Sequence, residues 1–451
     1  MTTDKRWPLV ASMAVFAFPA LSVGIPNGYS IAAVLLLAVS VLGARQWWGQ
    51  RVEPRQAWLL IGAFLLMAAI WQIDGLRSDG GWRSTDKPVK FLLVLPCLLF
   101  LLRVPARKDF LWAGICCGGI VAGAAALYES FWLRLPRAEG SINAIQFGNL
   151  SLLLAVMSAM AVLMWRPTRR PRAAMALAVA GATLGAWSSL LSQSRGGWLA
   201  LLLMLPVIVF LLRRALSWRQ ICVAAVVSLL GAVALVMLTI RLMQAPPAAG
   251  GAPAQGQAGT FQMEDRIELA RSEMERYEAT GDAVSSVGQR LDHWKAAWRM
   301  GLNHPLLGWS QKGYEVEKRR LVDAGEASPY ILEFNHAHNE FLDVFAKRGV
   351  IGVVSLLFLY GVPLVLFWPW RSQAAADRSD RALLPLQIIG VLIPLTYAGS
   401  GLTQGFLGHN SGTMFFIFMT SLIFTTLEGE RRLPASSEPS AASARLVSQH
   451  A

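Results

Sequence analysis

The tightest limit on the fold of this chain is the recurrence of long apolar runs that carry almost no charge. Ala57 to Ile73, Gln220 to Ile240 and Gly349 to Trp368 are examples, and each approaches the ~20 residues that a helix needs to cross a bilayer. Lipid offers no partners to backbone N–H and C=O groups, so such runs must close their hydrogen bonds internally. Composition agrees: 54% of the 451 residues are apolar and 15% are charged. The expected fold is an all-α polytopic membrane protein with about twelve transmembrane helices. They fall at roughly 8–25, 30–44, 57–74, 90–103, 110–128, 143–165, 173–191, 197–212, 220–241, 349–369, 383–399 and 410–427. The first run is long enough to span and lacks a convincing cleavage site after it, so a removable signal peptide is not expected.

A net charge of +13 suits nucleic acid on paper, but its distribution argues otherwise. Lys and Arg sit in short clusters between apolar runs, the pattern that sets membrane orientation. With a cytoplasmic N-terminus, the five cytoplasmic connections carry sixteen basic residues and the five short outer ones carry seven. Both termini are therefore expected in the cytoplasm. All four cysteines lie inside apolar runs, which disfavours a disulfide framework or a thiolate zinc site.

The division expected is residues 1–243 for the first nine spans, 244–348 for one large outer loop, 349–432 for the last three spans and 433–451 for a tail disordered by composition. The loop opens with a Pro/Ala/Gly/Gln-rich lead-in. Helices are expected over Gln262–Thr280, Gln289–Asn303 and near Lys312–Ala324.

Five of the six histidines, His293, His304, His336, His338 and His409, fall on the outer side of this topology. The segment Asn335-His336-Ala337-His338-Asn339-Glu340 stands where the loop returns to the membrane. A histidine there supplies a neutral base near physiological pH, and an Asn or carboxylate can fix its tautomer. The same residues also suit a plain helix cap. Glu333, Glu340 and Asp343 are metal-type ligands, but the spacing matches no closed-site pattern such as HExxH. In Ser194-Arg195-Gly196-Gly197, an Arg and two glycines open a span, where N–H groups and the helix dipole favour an anion and a guanidinium adds a fork that fits phosphate. The alternative is an Arg snorkelling to headgroups. Arg290 opens the second loop helix and is weak alone. Lys87 and Lys90 precede the fourth span, where they either bind lipid phosphate or simply lie among headgroups.

Three pieces together resemble the O-antigen ligase family, which shares a core with O-antigen polymerases and protein O-oligosaccharyltransferases. They are SQSRGGWLALLL at 192–203, RLDHWKAAWRMGLNHPLLGWS at 290–310 and HAHNEFLDVFAKRGVIG at 336–352, with a weaker match at 137–150. The resemblance covers roughly residues 137–360. Trp309-Ser310 after Gly308 departs from the family, whose members often have a second glycine there.

The resemblance implies a GT-C-like, metal-independent inverting glycosyltransferase of the bacterial inner membrane with its site on the periplasmic face and no cofactor. It implies a donor glycan on undecaprenyl pyrophosphate and lipid A–core as acceptor, with membrane lipids around it and no nucleic acid partner. By position it gives Arg195 and Arg290 as pyrophosphate-binding arginines and His338 as the base. Asn339, His336, Gly196, Gly197, Lys87 and Lys90 are the further substrate-binding candidates. His336 and His338 are two apart; the adjoining span favours a helix here, which would set them about 200° apart and let only one face the site.

Two alternatives stand beside ligation: polymerisation or protein glycosylation by the same core, and, from another class, a transporter or flippase. Transporters often show internal repeats and ionisable residues at the bilayer midplane. Here no repeat is visible and the polar candidates cluster at the outer boundary.

Overall fold

The computed structural model describes residues 6–167, 170–244, 286–370 and 378–432. The described residues form fourteen α-helices and no strand. In chain order they are α1 (Trp7–Leu21), α2 (Gly28–Leu42), α3 (Ala57–Arg77), α4 (Asp86–Arg103), α5 (Lys108–Leu127), α6 (Ala144–Met164) and α7 (Pro171–Leu191). They continue with α8 (Arg195–Leu212), α9 (Trp218–Gln244), α10 (Ser286–Asn303), α11 (Ser310–Asp323), α12 (Glu340–Phe367), α13 (Arg378–Gly401) and α14 (Asn410–Arg431). The protein is thus an all-helical polytopic membrane protein. Each of the twelve expected spans falls on one helix, and eight of those helices are long and apolar enough to cross by length and hydropathy. Three others are shorter, and α4 carries Asp86, Lys87 and Lys90 in its first turns. The helix expected over Gln262–Thr280 and the tail lie outside the described residues.

Burial separates the centre from the rim. Nearly every residue of α14 is buried, with Phe415, Phe416, Phe418 and Phe424 at its core. By contrast α9 leaves Val223, Val227, Leu229, Leu230 and Met237 more than half exposed. A helix that is apolar all round and open on most sides belongs against lipid. Between them α5 packs on α1, α6 and α7. Its Gly119 lies so close to α7 that a Cβ would come within 2.4 Å of the Gly181 carbonyl, the small-residue contact by which membrane helices gain dispersion.

The loop helices sit on one end of this bundle through a break in α12. That helix starts nine residues before the expected span, so the boundary expected between loop and membrane at 348/349 falls inside one helix. At Gly349 the backbone leaves the helix (φ 62°, ψ −161°), a region open essentially to glycine alone. The turn 304–309 fills the gap. Val350 and Ile351 donate to the carbonyls of Pro305 (2.7 Å) and Leu306 (3.3 Å), and Trp309 donates back to Ala346 (2.9 Å). The next two carbonyls, Leu307 and Gly308, accept from the Arg77 guanidinium at 2.5 and 2.7 Å. Four successive carbonyls of the turn, from Pro305 to Gly308, are thereby paired.

Asp74, one turn before Arg77 on α3, completes the joint. Its carboxylate pairs with Arg348 at 2.7 Å and accepts the Gln311 N–H at the start of α11 at 2.9 Å. All these groups lie at the end of the bundle that the charge asymmetry assigns to the outside.

Candidate functional site

Four of the five histidines expected outside gather in one place. His336 and His338 have ring centroids 4.3 Å apart, His293 lies 6.1 Å from His338, and His409 lies 6.2 Å from His336. His304 is elsewhere, edge-on against Trp309 in the turn that fills the break. The cluster is built from three separate stretches: α10, the loop before α12, and the connection from α13 to α14.

The helical conformation expected for His336–Asn339 is not found. The helix begins only at Glu340, because Asn339 caps it: Oδ1 accepts from the N–H groups of Phe341 (3.0 Å) and Leu342 (3.1 Å). Its Nδ2 donates to the Leu402 carbonyl at 3.2 Å. Asn339 is therefore spent on the cap and on tying two loops together, and it does not orient the imidazole. Ahead of the cap the chain turns sharply, with His338 in the left-handed region at φ 51°. An L-residue pays for that conformation. The cost is offset in part by a hydrogen bond from the His338 N–H to Nδ1 of His336 at 3.2 Å. His336 is thus the acceptor that holds its neighbour's backbone, and its own ring proton is on Nε2.

The group that orients His338 is Gln404, which sequence reasoning missed. Nδ1 of His338 lies 2.9 Å from Gln404 Oε1, and Gln404 is almost fully buried. An amide oxygen only accepts, so Nδ1 carries the proton and Nε2 keeps the lone pair. The other end of the amide faces Nε2 of His409 at 3.5 Å, which sets the amide's orientation. His409 is half-buried, and that burial lowers its pKa.

Burial likewise lowers the pKa of His338, and the positive charge of Arg290 adds to the effect, while the Gln404 hydrogen bond works against it. His336 is pushed down to about 3, first by burial and then by His338 beside it. His293 is lowered by burial too, and its Nε2 donates to the Ile331 carbonyl at 2.8 Å. Lys318 donates to the same carbonyl and to that of Phe334, so His293 and Lys318 clamp the strap that leads into His336. The resulting constellation is a neutral imidazole with a fixed tautomer, its basic nitrogen unblocked by that bond, and an arginine close enough to feel its charge.

The remaining candidates are distributed as follows. Arg290 lies within α10, one turn before His293, rather than opening the helix. Arg195 is the first residue of α8, whose N-cap Ser194 makes no capping hydrogen bond to the helix. The space where side chains would stand at Gly196 and Gly197 is filled. A Cβ would come within 2.6 Å of Thr403 Oγ1 at the first and 2.7 Å of Asn149 Oδ1 at the second. These glycines let α8 approach α6 and the 402–404 loop. Nδ2 of Asn149, fully buried beside them, has no hydrogen-bond partner.

Lys90 pairs with Asp86 and donates to Asn410 at 2.8 Å, which uses it in packing. Lys87 lies over the Trp71 ring at 4.4 Å. Of the carboxylates considered for a metal, Glu340 accepts the Leu407 N–H at 3.0 Å and Asp343 pairs with Lys347 at 2.7 Å. Among the described residues no three His, Cys, Asp or Glu side chains converge as a metal-holding group.

The residues just described fall largely within one stretch that matches other proteins. Residues 180–357 match a family model described as O-antigen ligase. An uncharacterised protein of Haemophilus influenzae is 24% identical over 424 residues, spanning 94% of this chain and 100% of the relative. The matched stretch holds Arg195, Arg290 and the whole His336–Asn339 turn, and over it the chain is similar to the O-antigen ligase family.

Proposed function

We propose that this protein is an O-antigen ligase-type glycosyltransferase of the bacterial inner membrane, working on the periplasmic face with a glycan on undecaprenyl pyrophosphate as donor and lipid A–core as acceptor. The observation that carries the reading is the His338 imidazole, neutral and held by Gln404 in the tautomer whose Nε2 can accept a proton. In the proposed reaction Nε2 takes the proton of an acceptor hydroxyl as that oxygen bonds to the anomeric carbon. The bond from the anomeric carbon to the pyrophosphate oxygen breaks on the opposite side, inverting the configuration. Negative charge then collects on the leaving pyrophosphate. Arg290, Arg195 and the N–H groups opening α8 would meet it, since preorganised donors in a partly desolvated site stabilise such charge best.

The family and the membrane-boundary position of the histidine cluster favour a transferase over a transporter, whose ionisable residues would be expected near the midplane. A lipopolysaccharide gel of a deletion strain tests the choice. Loss of every O-antigen band, the single-repeat band included, is the result expected for a ligase. A surviving single-repeat band would instead make the protein a polymerase, and an unaltered ladder with loss of a glycosylated protein would make it the protein-modifying relative.

Metal independence is part of the same proposal, because Glu340 and Asp343 already have partners. Transfer by the purified protein is expected to persist in EDTA. Loss that magnesium or manganese restores would return those carboxylates to consideration.

A further inference from the structure

A cavity of about 170 Å³ lies against His336 on the side of the cluster remote from α10. Trp71, Lys87, Lys347, Arg348 and His409 line it together with His336. Three cations and three carboxylates meet around it, but one cation, Lys87, is left without an ion pair. Arg348 is paired with Asp74, and Lys347 with Asp343 and the Asn335 carbonyl. The two carboxylates in the wall, Glu340 and Asp343, are bound to Leu407 N–H and to Lys347 and Ala337 N–H. Lys87 has only the Trp71 face, shared at 4.4 Å with Arg348 on its other contact, and no carboxylate among the described residues lies within ion-pair distance of it.

Donors are also left over. Arg348 Nε and Trp71 Nε1 are both buried without a hydrogen-bond partner, on residues 8% and 5% exposed. His336, its Nδ1 occupied, offers Nε2–H. No acceptor in the wall reaches Arg348 Nε or Trp71 Nε1, and buried donors without acceptors are costly. Gly405 and Gly408 stand in the wall, and a Cβ at either would meet nothing closer than 3.6 Å.

We infer that this cavity is an anion subsite that takes a phosphate or carboxylate substituent carried by the acceptor saccharide. His336 forms a wall of the cavity and its ring is 4.3 Å from His338. A saccharide anchored there by its anionic group has a neighbouring hydroxyl within about one sugar of the base, while Arg290 stands on the other helix side for the donor. The word acceptor rests on the transferase reading; the preference for an anion rests on the cavity alone.

The test is equilibrium binding by native mass spectrometry to the full chain in phosphatidylcholine nanodiscs. The probes are a lipid A–core glycolipid with phosphate on its core sugars and the same glycolipid without it. The wild type is expected to bind the phosphorylated form roughly tenfold more tightly, the scale of a charge-assisted contact. Lys87→Gln is expected to bring that ratio close to one and Lys87→Arg to retain most of it. Gly408→Leu fills the cavity with Lys87 intact and is expected to abolish the preference as well, and melting curves of all variants control for folding.

Equal binding of both probes by the wild type overturns the inference, as does a preference that survives Lys87→Gln and Gly408→Leu. In phosphatidylglycerol nanodiscs the preference is expected to persist. Its disappearance there would assign the cavity to a lipid headgroup and overturn the acceptor assignment. Transfer from an undecaprenyl-pyrophosphate donor, measured on the same preparation, reads the transferase proposal separately. An intact binding preference without transfer would sink that proposal and leave the anion subsite standing.

Discussion

His338 acts, in the proposed chemistry, only as the neutral imidazole, so the direction of its pKa shift predicts a pH profile. Its ordinary value of 6.5 is lowered by burial and by Arg290. A lowered pKa means that the base stays unprotonated as pH falls, so kcat/KM should be flat through pH 7 and decline only below 6.5. Removing the neighbouring charge with Arg290→Gln should move that acid limb upward as well as weaken donor use. Arg290→Lys should keep the limb in place yet impair transfer, because a lysine retains the charge but not the planar fork that matches phosphate. An unmoved limb in Arg290→Gln would separate the arginine from the base.

His338→Ala should lower transfer at least ~100-fold, the usual contribution of a general base, with inserted protein at wild-type level. Wild-type product from a well-expressed His338→Ala protein would end the mechanism. At this scale the sequence pointed to His338 and Arg290 and was silent about Gln404. The motif carries its own residue types, whereas a glutamine 66 positions away becomes visible only when the α13–α14 connection is folded against it.

The helices at the expected spans were legible because lipid imposes one solution on long apolar runs. The course of the chain at the membrane edge was not. Nothing in the apolar pattern distinguishes a helix starting at residue 349 from one starting at 340 and broken at Gly349, since charged Asp343, Lys347 and Arg348 make the first turns look like loop. Their charges are hidden by pairing rather than by solvent. Likewise the two histidines were expected on a helix, and the cap at Asn339 stopped that helix one residue after His338. Gly349→Ala tests the break. A Cβ there would sit 2.3 Å from the Leu306 carbonyl oxygen, in a backbone region closed to side chains. The expected cost is at least ~1–3 kcal/mol for the conformation alone, read as a lower melting temperature and less inserted protein. A variant melting like the wild type would mean that the turn at 304–309 is not seated in the helix.

For the molecule as a whole, orientation is the property that every assignment above depends on, and it rests on the sixteen-to-seven division of basic residues. Alkaline phosphatase fused after Gly259 should be active and fused after Arg170 inactive, and the reverse pattern would place the histidine cluster on the cytoplasmic face. The joint at the outer end has its own consequence for how substrates arrive. Seating the 304–309 turn pairs four consecutive carbonyls with donors from two different helices, α3 and α12. Bonded on both sides, the turn ties α3 to α12 at this edge of the bundle. A tie of that kind is poorly suited to open and close with every turnover. The two helices would then keep their spacing while substrate comes and goes, and a donor with a long lipid tail would have to slide in sideways from the bilayer rather than part them.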